Sequence, residues 1–275
     1  MKKDYDSTRI YRNTHKKRVR HRLMTHPLGG NPLPDSAKKC IASWKKFLPD
    51  YEIKEWNESN FDVNMIPYVK EAYQVKKYAF ISDFARFYIL YKYGGLYFDT
   101  DVEIVKPLDS IISKGAFMGC EHTATEKIGT LGVNPGLGFG MEANLPIIHE
   151  IIEYYSQQHY ILSDGTKNTM TVVDVMSAFL EKYGLEIKDE IQKIAGISVY
   201  PKEYFCPKDF ETGKLNITSN TYSIHHFDFS WGSNNLKRFF FVRKVIKRVF
   251  GNKVTHIVDK VVENISKIKN KHDKS

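Results

Sequence analysis

The chain has 275 residues, 42% hydrophobic and 13% aromatic, which is enough to bury a sizeable core and excludes a disordered polymer. Its formal net charge of +9 sits at the two ends: residues 1–22 hold nine Lys/Arg against two acids and residues 236–275 twelve against three, leaving 20 basic and 27 acidic residues in 23–235. An acidic body is a poor duplex-binding surface, because affinity for nucleic acid comes largely from phosphate neutralisation, so nucleic acid is not an expected partner.

Residues 1–28 are basic and aperiodic, an arm. After the Gly29-Gly30-Asn31-Pro32-Leu33-Pro34 turn, Ala37 to Phe47 has helical spacing with Ile41, Trp44 and Phe47 on one face, and Pro49-Asp50 ends it. Tyr51 to Trp56 alternates as a strand does. Ile66 to Tyr91 predicts a helix in two pieces, the second buried because apolar residues surround it, and Gly94-Gly95 stops it. Leu96-Tyr97-Phe98 predicts a short buried strand running into Asp99-Thr100-Asp101, with Val102 to Val105 extended up to Pro107. Asn134 to Gly140 reads as a Gly/Pro-rich loop, Pro146 to Gln157 and Val172 to Tyr183 as helices, and Ile197 to Tyr200 and Tyr222 to His226 as strands. Helices and strands thus alternate, which predicts an α/β sandwich in one domain over 29–235. The cysteines Cys40, Cys120 and Cys206 lie far apart without a C-x-x-C pair and read as buried thiols of a reducing compartment. With neither a membrane-length apolar run nor a signal-peptide pattern, the expected location is the cytoplasm. The sequons at Asn216 and Asn264 are then chance matches.

Chemistry concentrates at Asp99 and Asp101. In an extended chain residues i and i+2 point the same way at roughly 6–7 Å, so both carboxylates address one site. Such a pair suits Mn²⁺ or Mg²⁺, which also binds the phosphates of a nucleotide diphosphate; the bland reading is a solvated turn. Asp83 and Arg86 interrupt the almost wholly apolar segment Ala79–Tyr91, where charge is costly unless paired or used. Their i, i+3 spacing allows a local ion pair as well as a face aimed at sugar hydroxyls and phosphate. His225 and His226 follow a strand and are either metal ligands or simply hydrogen-bonded. Asn134-Pro135-Gly136-Leu137-Gly138 either presents backbone N–H groups to an acceptor or makes a tight connection.

The runs Ala79-Phe80-Ile81-Ser82-Asp83-Phe84-Ala85-Arg86 and Tyr91-Lys92-Tyr93-Gly94-Gly95-Leu96-Tyr97-Phe98-Asp99-Thr100-Asp101 resemble the signature of glycosyltransferase family 32, in particular its bacterial capsular polysaccharide branch. The resemblance extends from about Gly29 to Trp231 through Cys40–Phe61, Asn134–Gly140, Tyr200–Pro207 and Thr221–Trp231. It implies a GT-A fold, Mn²⁺ or Mg²⁺, and transfer of a hexose or N-acetylhexosamine with retention, from a nucleotide-sugar such as a UDP-sugar to a glycan or polyprenyl-linked acceptor. Carried over residue by residue, it assigns the donor to Ser82, Asp83, Arg86, Tyr97, Asp99, Ser230 and Trp231. Asp83, Arg86, Asp99 and Asp101 would be catalytic, and Asp99, Asp101 and His225 would bind the metal. Asn134 and Gly136 are the acceptor candidates of the loop read above, with a tight connection as the alternative.

Family members usually open with an apolar strand carrying a tryptophan before the Gly-Gly turn, whereas Arg18 to Leu28 has neither, as a shifted reading frame would leave it. A catalytically impaired relative is therefore one alternative. A haloacid dehalogenase-type phosphatase is another, since Phe98-Asp99-Thr100-Asp101-Val102 fits its Asp-x-Asp-x-Val motif, although no second acidic motif follows. The tail, 236–275, carries apolar stripes at helical spacing: Phe239, Val242, Ile246, Val249 and Phe250 beside Arg243, Lys244, Lys247 and Arg248, then Val254 to Ile268. The second stripe suits core packing equally well. The first is expected to hold the protein on the anionic inner face of the cell membrane.

Overall fold

The computed structural model describes residues 33–126 and 129–228, with Val242, Arg243, Val245 and Lys247. The expected arm over 1–28 and most of the tail lie outside the described residues, as do Ser230 and Trp231. The chain divides into two units, one holding residues up to Pro207 together with Ile217–His226, the other Lys208–Asn216 together with residues from Phe227 onward.

In the first unit, helix α1 (Asp35–Phe47) buries Ala37, Cys40, Ile41 and Trp44 on one stripe and leaves its lysines outside. The fully buried Trp44 donates its indole N–H to the Val102 carbonyl at 2.6 Å, and Ser43 Oγ accepts the Ile104 N–H at 2.9 Å. These two bonds pin α1 to strand β2 (Val102–Ile104). Each is worth about 1 kcal/mol net and more if broken on one side only, because a buried partner is then orphaned. Tyr51 to Trp56 does not form the expected strand: only Trp56 makes a bridge, so alternation here serves to bury one ring beside a half-exposed chain.

The two-piece helix is found as α2 (Pro67–Gln74) and α3 (Tyr78–Tyr93). Helix α3 buries nine residues between Ile81 and Leu90, among them Ser82, Asp83 and Arg86. It ends at Gly94, whose φ of 64° and close approach to Ala143 N, 2.9 Å from where a Cβ would stand, admit no side chain. Chain reversal there feeds β1 (Gly95–Tyr97), which pairs antiparallel with β5 (Phe139–Met141).

After α4 (Asp109–Ile112) come β3 (Ala116–Cys120) and β4 (Val133–Asn134), and after β5 come α5 (Pro146–Ser156) and α6 (Val172–Lys182). A capping box between Thr171 and Asp174 starts α6. Strands β6 (Gln192–Ile194) and β7 (Ile197–Tyr200), α7 (Lys202–Phe205) and β8 (Ser223–His225) complete the unit. Among the described residues the sheet order is β1-β5-β3-β7-β6 with β4 paired to β3; only β3 and β7 run parallel there, so the sheet is mixed, and β2 and β8 form a second, antiparallel ribbon. This is the expected α/β architecture. Helices α2, α3, α5 and α6 bury one apolar cluster with the sheet, joined by edge-on rings such as Tyr68 on Tyr155 and Phe84 on Tyr155. Cys40, Cys120 and Cys206 are buried, as read from the sequence. Burial pushes the Cys120 thiol up to about 12, which keeps it an unreactive thiol.

In the second unit, Phe210 packs edge-on against Phe227, and Arg243 and Lys247 both reach Glu211. Val242 and Val245 are exposed. Among the described residues no helix is long and apolar enough to cross a membrane.

Candidate active site

The site assembles where α3, the end of β1 and the β2–β8 ribbon meet. From α3, Arg86 Nη2 donates to Asp83 Oδ1 at 2.8 Å, and Nε donates to the Ser82 carbonyl at 3.1 Å. The other guanidinium nitrogen, Nη1, stands 3.5 Å from Asp99 Oδ1 and, though buried, makes no hydrogen bond among the described residues. Tyr97, at the end of β1, donates its hydroxyl to the same Asp99 oxygen at 2.5 Å and lies under the guanidinium, 4.6 Å from Cζ to ring centroid. The local ion pair and the wider site are therefore one arrangement: Arg86 holds Asp83 on its own helix and faces Asp99 in the loop after β1.

Burial pushes the Asp83 carboxyl up to about 6, with Asp99 adding repulsion and Arg86 opposing the shift. Burial works against charge on Arg86 as well, but Asp99, Tyr97 and Asp83 outweigh it and keep the guanidinium protonated. Desolvation, with Asp99 and Asp83 nearby, holds the Tyr97 phenol well above its ordinary range, so it remains a donor.

Asp99 and Asp101 converge by a turn and not by the extended chain expected from their spacing. The Val102 N–H donates to the Asp99 carbonyl at 3.0 Å, closing the loop between β1 and β2. The β2–β8 register then sets His225 opposite Val102, and His225 Nε2 reaches Asp101 Oδ1 at 3.3 Å. Alongside, the His226 N–H donates to the Asp101 carbonyl at 2.9 Å and its ring meets Glu103 at 2.9 Å. Asp99, Asp101 and His225 each offer a ligand atom within 4.8 Å of the others. Desolvation disfavours charge on His225, yet Asp101 and Cys206 hold its protonation well above the usual imidazole range. Two carboxylates and an imidazole that together favour positive charge fit a hard divalent cation.

Ser82 turns its hydroxyl to the Tyr78 carbonyl at 3.1 Å, along its own helix. Asn134 and Gly136 are buried. The expected loop over Asn134–Gly140 is enclosed by β4 and β5, with every residue from Leu131 to Met141 buried, because its glycines let strand, aromatic ring and carboxylate approach closely. At Gly136 a Cβ would stand 2.0 Å from Asp99 Oδ2. Gly136→Ala is expected to displace that carboxylate and lower turnover about 10- to 100-fold while the protein stays folded, since misplacement by about 1 Å costs that much. Steady-state kinetics beside a melting curve measure it, and normal turnover would separate Asp99 from function. Glu121, absent from the sequence reading, accepts a hydrogen bond from Asn134 Nδ2 at 2.6 Å. Only strand register reveals it.

Residues 34–118, which include Asp83, Arg86, Asp99 and Asp101, match the family model for the glycosyltransferase sugar-binding region containing DXD motif. Over 87 residues, 31% of this chain, the sequence is 35% identical to inositol phosphoceramide mannosyltransferase 1 of Schizosaccharomyces pombe. The matched stretch is 25% of that relative's length, so the chain spans about a quarter of it, and the relative is fungal where the motif resembled a bacterial capsular branch. Similar solved structures include PaToxG Glycosyltransferase, at TM-score 0.43 and 17% identity over 64% of this chain and 76% of that one. Another is the galactosyltransferase LgtC in complex with donor and acceptor sugar analogues, at TM-score 0.39 and 12% identity over 82% and 94%.

Proposed function

We propose that this protein is a retaining glycosyltransferase of the GT-A type, moving a hexose or N-acetylhexosamine from a nucleotide-sugar, a UDP-sugar first, to a glycan or polyprenyl-linked acceptor. The observation that carries the reading is a buried guanidinium, Arg86, shared between Asp83 and Asp99, directly beside the Asp99, Asp101 and His225 cluster. An ion pair that served stability alone would need no second carboxylate and no unsatisfied N–H.

Asp101 and His225, with Asp99, would hold Mn²⁺ or Mg²⁺. That cation, when bound, neutralises charge on the departing diphosphate. The chain's own groups do the rest. Arg86 Nη1, buried and without a hydrogen bond among the described residues, is placed to donate to a sugar or phosphate oxygen, and its desolvation makes that bond stronger than the same bond in water. Asp83 and Asp99 accept sugar or ribose hydroxyls, and the Tyr97 hydroxyl and the Arg86 charge hold the Asp99 carboxylate in place before substrate arrives. Pre-set dipoles cost no reorganisation at the moment of reaction. Ser230 and Trp231, outside the described residues, would contact the phosphates in this reading. The basic tail sets the enzyme on the anionic cytoplasmic membrane surface, near a lipid-linked acceptor of capsular or other surface polysaccharide synthesis.

A panel of nucleotide-sugars tests the proposal, with nucleoside diphosphate release and sugar transfer both followed. The expected result is donor-dependent release with one sugar favoured. Release of inorganic phosphate from simple phosphomonoesters without sugar transfer would replace it with the phosphatase reading of Asp99-Thr100-Asp101.

A further inference from the structure

The register of β3 and β4 pairs Gly119 with Asn134 and Cys120 with Val133. The ladder continues one step, since the Glu121 N–H donates to the Gly132 carbonyl at 2.9 Å. Side chains two apart on a strand share a face, so Glu121 is the diagonal same-face neighbour of Asn134. The two are joined: Asn134 Nδ2 donates to Glu121 Oε1 at 2.6 Å. At the other end of the amide, Asn134 Oδ1 accepts the Gly136 N–H at 2.6 Å. The Gly136 carbonyl then accepts the Asp99 N–H at 2.9 Å, and the Gly136 Cα abuts the Asp99 carboxylate.

From this unbroken chain of bonds we propose that Glu121 is a positioning residue, acting through Asn134 and Gly136 to set where the Asp99 carboxylate stands in the donor site. The inference rests on the glycosyltransferase reading of that site. Asp99 lies between two strands, outside either ladder, so its backbone depends on two bonds, one from its N–H to Gly136 and one to its carbonyl from Val102. Asn134 can brace the Gly136 turn only while its amide keeps one orientation. The Glu121 carboxylate, an acceptor with no N–H to offer, fixes that orientation because it pairs only with the NH₂ end. Without the carboxylate the amide loses one anchor and a buried NH₂ loses its partner.

Three variants of the full chain test this: Glu121→Ala, Asn134→Asp, and the double variant Asn134→Asp with Glu121→Gln. Asn134→Asp sets two carboxylates against each other. Adding Glu121→Gln rebuilds a donor–acceptor pair of reversed polarity while the 134 carboxylate still accepts the Gly136 N–H. The readouts are kcat and KM for the donor, Mn²⁺ affinity by electron paramagnetic resonance in the presence of nucleoside diphosphate, and melting temperature. Partners standing behind a site typically change affinity or activity about 10- to 100-fold. Each single variant is therefore expected to lower kcat within that range and to weaken Mn²⁺ binding, and the double variant is expected to recover most of both. Single variants that match the wild type in kcat and Mn²⁺ affinity, or a double variant no better than Asn134→Asp, would overturn the proposal. A wild type that turns over no donor refutes the enzymatic reading alone, and the Mn²⁺ affinities still decide the role of Glu121. Should Asn134→Asp not fold, Glu121→Ala carries the comparison, because Glu121 is only half-buried.

Discussion

Asp101→Asn is expected to abolish sugar transfer, by about 10³-fold or more, in a protein that folds and melts as the wild type does. The carboxylate sits within one cluster with Asp99 and His225, and its oxygen lies 3.3 Å from the imidazole. An amide keeps the size and a hydrogen bond to His225 but loses the charge. In a site where a bound cation offsets diphosphate charge, that charge is worth several kcal/mol in the transition state. The backbone is not put at risk, because the ribbon is held by the Asp101 carbonyl to His226 N–H bond and by the β2–β8 register, neither of which uses the side chain. Single-turnover rates at saturating Mn²⁺ are the measurement. An unchanged rate would remove Asp101 from the site.

Arg86→Lys is expected to cost about 10²- to 10³-fold in kcat/KM, the usual loss when one preorganised donor is withdrawn from a developing charge. Charge is conserved in this change, so the loss isolates geometry. The guanidinium serves Ser82, Asp83 and Asp99 with three separate nitrogens while its face rests on Tyr97. One ammonium cannot reproduce that planar fork. The structural reading of the same residue makes a different forecast, a lowered melting temperature with normal activity in the folded fraction. Kinetics and melting on one preparation decide between them.

Much of this was legible in the sequence because the signals are local. The stripe on α1, the break between α2 and α3, the Gly94 stop and the cost of burying Asp83 and Arg86 all follow from spacing and composition. What escaped is set by tertiary register. Tyr51 to Trp56 alternates like a strand but lacks a ladder beyond its last residue. The glycines of 134–140 suggested a loop, and they are where Phe98, Phe117 and Asp99 press against the backbone inside the core. The convergence of Asp99 and Asp101 was foreseen and its cause was not: a turn closed by Val102 makes it, not an extended chain. Glu121 carried no signal at all, since only the pairing of β3 with β4 brings it to Asn134.

The central claim is that Asp99, Asp101 and His225 form a metal-dependent diphosphate site. Its most direct test is calorimetric titration of UDP into the full chain, with Mn²⁺ and then with excess chelator, repeated on Asp101→Asn. The account predicts binding that requires Mn²⁺, is lost with chelator and is absent in the variant. Binding of equal strength in chelator, or in Asp101→Asn at the same Mn²⁺ concentration, would contradict it.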